Sequence, residues 1–171
     1  MKTLLTITDH DIDSNVTNVD PKDFSTREAS RAIVLDKTGR VFLLKINRDH
    51  YHKLPGGGIE EGEDIKTALA RELLEEIGCT AEVATEIGEI VEYRNQEQLK
   101  QISFCFIAKQ FGEQLPPSFE QGEIDEGSEI LLVESIDDAI RLLENDTPDD
   151  YTGKFIRIRD LHFLRSAKQI L

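Results

Sequence analysis

Leu54-Pro55-Gly56-Gly57-Gly58-Ile59-Glu60-Glu61-Gly62-Glu63, followed by Asp64-Ile65-Lys66-Thr67-Ala68-Leu69-Ala70-Arg71-Glu72-Leu73-Leu74-Glu75-Glu76-Ile77-Gly78, is the stretch that decides how this chain folds. Leu54 to Gly58 holds a proline and a glycine run, so it is expected to be a loop outside any regular element. Asp64 to Ile77 has helical periodicity, and Gly78 is a good stop. At about 100° per residue, Ile65, Ala68, Leu69 and Leu73 share one apolar face. Glu72 and Glu76 project into the middle of that face, and Glu75 lies beside them. Acids there break the pattern of a purely structural helix. They also repel one another and crowd the end of the helix where the macrodipole disfavours negative charge. A surface helix with its acids in water is the plain alternative. Against it, local rules broken together mark a functional site. The natural compensation is a divalent cation, and oxygen-only ligands suit Mg2+ or Mn2+ better than zinc. The glycine turn could offer a backbone carbonyl to that ion. Arg71, four residues before Glu75, could orient a carboxylate or bind a phosphate.

Outward from this stretch, Ala29–Leu35 and Arg40–Ile46 flank Asp36-Lys37-Thr38-Gly39 and are expected to form a hairpin. Leu4 to Ile7 reads as a short edge strand, and residues 8–23 as a polar, Asp-rich loop. Downstream, Ala81–Tyr93, Gln101–Phe111 and Ile130–Glu134 read as strands, and Leu115–Gly127 as an acidic loop. Ser135–Leu143 is a helix with Ser135 as N-cap, and residues 155–171 hold a closing helix. The order of elements implies an α+β or α/β sandwich with helices covering a mixed sheet.

The length of 171 residues fits one domain, 1–171. The net charge of −14 argues against a nucleic-acid polymer, whose phosphates need Lys and Arg, and against an anionic membrane surface. A small anionic substrate remains compatible if divalent cations lie between it and the protein. Cys79 and Cys105 make neither a disulfide framework nor a zinc ribbon. No apolar run is long enough to span a membrane, and the N-terminus lacks a signal-like core. The expectation is a reduced, cytoplasmic protein.

The segment Gly57 to Cys79 resembles the Nudix box: Gly, five residues, Glu, seven residues, then Arg-Glu-aliphatic-any-Glu-Glu-any-Gly-aliphatic. Gly57, Glu63, Arg71, Glu72, Glu75, Glu76 and Gly78 fill every fixed position, and Leu73 fits the first aliphatic one. Cys79 stands where an aliphatic residue is usual. With each residue type used at roughly 7%, a chance match is on the order of one in a million. The resemblance implies a strand-loop-helix box inside an α/β/α sandwich, and a divalent-metal-dependent hydrolase that cleaves a phosphoanhydride bond in a nucleoside diphosphate derivative or nucleoside triphosphate. It implies Glu72, Glu75, Glu76 and the Gly56 carbonyl as metal ligands. Glu63 would assist, and Arg71 would orient the glutamates. The general base is either a box acid, Glu72 or Glu76, or a downstream acid, with Glu123 and Glu126 ranked above Glu120.

The family's subgroup signatures are not matched. Arg94 stands where the ADP-ribose group has proline, and Asn95 where the dinucleoside polyphosphate group has tyrosine. Tyr93 is one residue short of the first position and two short of the second, and a loop shift would bring it into use. Tyr51, His50 and His52, just before the glycines, could contact a base or ribose, and Arg48 a phosphate. Asp9, Asp11 and Asp13 open like an EF-hand, but Ser14 and Asp20 stand where that loop needs Gly and Glu. The basic run Lys154 to Lys168 could meet a phosphate or a second copy in a homodimer; otherwise its charges lie in solvent. A nucleotide-binding sensor without turnover is the competing function. Isoprenoid diphosphate isomerisation needs a cysteine that neither Cys79 nor Cys105 is placed to supply.

Overall fold

In the computed structural model, which describes residues 1–171, the chain runs β1 Thr3–Thr8, α1 Asp9–Ile12, a 3-10 turn at Pro21–Asp23, β2 Ser25–Leu35, β3 Val41–Ile46, β4 Tyr51–Lys53, β5 Gly56–Gly58 and α2 Ile65–Ile77. It continues through β6 Thr80–Arg94, β7 Leu99–Phe111, α3 Gln121–Asp125, β8 Ser128–Val133, α4 Ile136–Asn145 and α5 Tyr151–Lys168. The strands form one mixed sheet in the order β1-β6-β7-β2-β3-β4, with β5 on β2 and β8 on β3. β2 pairs in parallel with β7 from Ser25↔Leu99 to Leu35↔Lys109.

Alternation along the central strands builds two cores, because successive side chains point to opposite faces. Ala32 and Val34 of β2, Phe42 and Leu44 of β3, and Phe106 and Ala108 of β7 lie under Leu69, Leu73 and Ile77 of α2. Ile33, Val41, Leu43, Cys105 and Ile107 face the other way, under Leu143 of α4 and Phe155, Phe163 and Leu164 of α5. The result is the expected α/β/α sandwich. Truncating a residue such as Leu73 to alanine would cost about 2–5 kcal/mol.

Two expectations about the central strands need correction. The β2–β3 connection is a turn, held by Asp36, whose carboxylate accepts from Thr38 N at 2.8 Å and Arg40 N at 2.9 Å. The strands then diverge, pairing only at Leu35↔Val41. β2 is already bonded to β7 and β5, and β3 takes β8 and β4 instead. The glycine run is not a loop either. Gly56–Gly58 is a strand antiparallel to β2, from Ala29↔Gly58 to Arg31↔Gly56. Gly56 sits at φ +124°, and a Cβ there would lie 2.2 Å from Ser30 O. Glycine is what lets this strand close on β2.

At the N-terminus, β1 is an edge strand parallel to β6. The segment read as loop contains α1, whose buried Asp9 accepts from Tyr151 Oη at 2.9 Å and Asn95 N at 2.8 Å. Four members of the basic run of α5, Arg157, Arg159, Arg165 and Lys168, are engaged within the chain. Arg157 caps α4 by donating to Leu143 O at 2.8 Å and Glu144 O at 2.7 Å. Arg159, expected in solvent, is buried against Asp160, with Nε to Oδ1 at 2.7 Å. No helix is long and apolar enough to cross a membrane.

Candidate active site

Both ends of α2 are fixed by local chemistry. Asp64 caps the start by accepting from Lys66 N at 2.9 Å and Thr67 N at 3.0 Å. Gly78 ends the helix in the left-handed region, and Cys79 N then donates to Leu73 O at 3.1 Å. With its apolar stripe on the sheet, α2 presents Glu72, Glu75 and Glu76 to β5. From the other side of the sheet, Asp160 of α5 accepts from Leu54 N at 2.8 Å and anchors the entry to β5.

Glu76 is 2% exposed. One carboxylate oxygen accepts from Gly56 N at 2.5 Å and the other lies 3.3 Å from Lys53 Nζ. Burial pushes its carboxyl up to about 7, against the pull of Lys53, Arg31 and the Gly56 N–H, and neighbouring Glu123 pushes the same way as burial. Glu72 is also raised, by burial and then by the charge of Glu76, although Arg71 and Arg31 pull it down. Glu72 lies across Gly57, where a Cβ would meet its Oε1 at 2.3 Å. That glycine is required by close approach and not by an unusual backbone angle.

Arg71 binds the box together. Nε and Nη2 reach the two oxygens of Glu63, both at 3.0 Å, and Nη1 reaches Glu72 at 2.9 Å and Glu75 at 3.1 Å. Nη2 also donates to Gly58 O at 2.9 Å. Glu63 is held below its ordinary value, chiefly by Arg71 and then by the Glu60 N–H.

The cleft above β5 has a volume of about 420 Å³. Glu72, Glu75, Glu76 and Gly56 line it, as do Glu120, Glu123 and Glu126 from α3 and its flanks. Arg48 and Tyr51 line it too. Arg48 is held by Asp49 at 2.7 Å and by Glu126 at 3.7 Å, and the Tyr51 ring packs on Gly153 at the start of α5. Tyr93 is not among the lining residues, which corrects the expectation for it. It pairs with Thr8 and Lys100, away from the glycine strand. His50 and His52 are paired with Asp149 at 2.7 Å and Asp146 at 2.9 Å and do not line the cleft. The sequence reading missed Arg27, Arg31 and Lys53. Arg31 carried a signal, since it interrupts the apolar run Ala29 to Leu35.

The donor set fits a hard divalent cation: all oxygen, with buried and mutually repelling carboxylates over a backbone bared by glycine. No three acidic, His or Cys side chains converge as a finished ligand cage. Arg71 cross-links Glu72 and Glu75, while Glu76 turns to Lys53 and the Gly56 N–H.

The NUDIX domain family model matches residues 25–152. The chain belongs to the Nudix family. An RNA pyrophosphohydrolase of Wolbachia pipientis subsp. Culex pipiens (strain wPip) is 35% identical over 83 residues, covering 47% of this chain and 50% of that protein. The chain thus spans about half the length of the curated relatives it matches. Among solved structures, a MutT protein from Methanosarcina mazei Go1 aligns with TM-score 0.59 and 19% identity over 86% of this chain and 97% of that one. An ADP-ribose pyrophosphatase from Streptococcus suis aligns with TM-score 0.54 and 17% identity over 84% and 93%. At these identities the structural likeness establishes the Nudix fold. Nudix hydrolases generally use divalent metals.

Proposed function

We propose that this protein is a metal-dependent pyrophosphohydrolase that cleaves a phosphoanhydride bond in a nucleoside diphosphate derivative or nucleoside triphosphate. The observation that carries the reading is Glu76, a carboxylate 2% exposed and facing a cleft beside Glu72, with burial raising both and the charge of Glu76 raising Glu72 further. Glu72, Glu75 and Glu76, with the Gly56 carbonyl, would hold Mg2+ or Mn2+. When bound, the ion neutralises the diphosphate and makes an attacking water more acidic. Arg71 keeps the box glutamates oriented. Lys53 and the Gly56 N–H steady Glu76. Glu123, reaching over from α3, takes the proton as water adds to phosphorus. The bond to the bridging oxygen breaks, and the leaving phosphate departs with the electron pair. Arg48 and Tyr51 contact the rest of the substrate.

The net charge of −14 favours a small substrate over a polymer backbone. The names of the curated relatives make RNA the competing substrate. A phosphate-release screen decides the matter. It takes purified protein with Mg2+ or Mn2+ and nucleoside triphosphates including 8-oxo-dGTP, ADP-ribose, nucleotide sugars, dinucleoside polyphosphates and triphosphate-ended RNA. Turnover should vanish with chelator and fall at least about tenfold in Glu76→Gln. Full activity in either condition refutes the mechanism. Binding without product over hours would instead make the protein a nucleotide sensor.

A further inference from the structure

Two cations of the cleft, Arg27 and Arg31, have no role in the chemistry assigned above. The more unusual is Arg31, 7% exposed in the middle of β2 and beside Gly56. Its guanidinium lines the cleft, yet its Nε is enclosed without a hydrogen-bond partner. The two acids whose charge it feels, Glu76 and Asp160, are engaged elsewhere. Glu76 holds Lys53 and the Gly56 N–H; Asp160 holds Arg159 at 2.7 Å and the Leu54 N–H at 2.8 Å. The buried Arg159 adds repulsion from behind, and its own Nη2 also lacks a partner. A buried cation in this setting destabilises a fold unless something completes it. A guanidinium is a planar fork suited to two oxygens of one tetrahedral phosphate. Arg27, four residues earlier on β2, lays a second guanidinium over Gly58, with Nη2 3.0 Å from where a Cβ there would sit.

We propose that Arg31 is a phosphate-binding residue: its guanidinium receives non-bridging oxygens of the substrate diphosphate, with Arg27 as an outer cation on the same strand. The assignment rests on the diphosphate reading above and supplies what that reading lacked. The carboxylates take the cation, and Arg31 takes anionic oxygens that the cation leaves free. An acidic protein thereby admits a polyanion without a basic surface.

The test uses the full chain with chelator present and inorganic pyrophosphate as probe, read by thermal melting. Pyrophosphate should raise the melting temperature of the wild type. Arg31→Gln should abolish that rise while melting at or above the wild type without anion, because it removes an unpaired buried charge. Arg31→Lys should retain part of the rise, and Arg27→Gln most of it. With a nucleotide that turns over, Arg31→Lys should raise KM at least about tenfold. Protection that survives in Arg31→Gln, or is absent in the wild type, overturns the proposal. So does a large fall in anion-free melting temperature in both Arg31→Gln and Arg31→Lys, which would make the residue structural. If no nucleotide is hydrolysed but protection still depends on Arg31, the subsite stands and the hydrolase reading falls.

Discussion

Two clusters of charged side chains are built into this fold on opposite terms. Beneath α5, Glu92, Asp160, Arg94 and Arg159 are buried with signs matched. Arg94 meets Glu92 at 2.5 Å and lies over the Phe155 ring at 5.5 Å, and Arg159 lies 3.6 Å from Glu92. At the glycine strand, Glu63, Glu72, Glu75, Glu76, Glu120, Glu123, Glu126 and Asp150 outnumber Arg27, Arg31, Arg48, Lys53 and Arg71, so negative charge is left over, and it borders a cleft. The matched cluster balances its own charge, whereas the surplus asks for a cation. Buried charge alone therefore does not mark a site in this protein; imbalance with access does.

Substitutions should separate the two clusters. The largest effect should come from the matched cluster. Glu92→Ala takes from Arg94 its buried partner and leaves Arg159 with Asp160 alone, and should cost about 3–5 kcal/mol of stability by denaturant titration, with kcat/KM of the folded protein unchanged. If stability holds and activity falls, the two clusters have been assigned the wrong way round. Glu76→Gln should do the reverse: melting temperature unchanged or raised, kcat down about 100-fold in a phosphate-release assay. Arg71→Lys keeps the charge but loses the fork and should cost about 10-fold or more in kcat/KM. Gly57→Ala pushes a methyl group into the Glu72 carboxylate and should cost about 10-fold in rate with little change in melting. The smallest effect concerns the base. Tyr51 and Ile156 are the only apolar side chains lining the cleft, so ATP, GTP, CTP and UTP should differ in kcat/KM by less than about 10-fold. A larger spread would show that the cleft reads bases as well as phosphates.

Much of this was legible in local patterns. The acids breaking the stripe of Asp64 to Ile77 located the cleft wall, and Asp64 and Gly78 fixed the ends of α2 within a residue. The apolar run Ala29 to Leu35 is a true strand, and both of its faces are buried. What local pattern cannot supply is register. Only the pairing of β5 with β2 brings Arg31 beside Gly56, and only the pairing of β6 with β1 and β7 carries Tyr93 away from the cleft. A glycine run read alone signals a turn; its use as a strand depended on how closely Ser30 approaches. Lys53 gave no signal at all, because its partner Glu76 is 23 residues downstream and meets it only through the fold.

Asp9 gives the first dozen residues an influence out of proportion to their distance from the Nudix box. It holds the hydroxyl of Tyr151, and the residues on either side of Tyr151, Asp150 and Thr152, line the cleft. The rim of the cleft is therefore moored at both ends of the sequence. Slackening that mooring, by Asp9→Ala or by pulling on β1, would widen the mouth of the cleft without touching a single residue of the box.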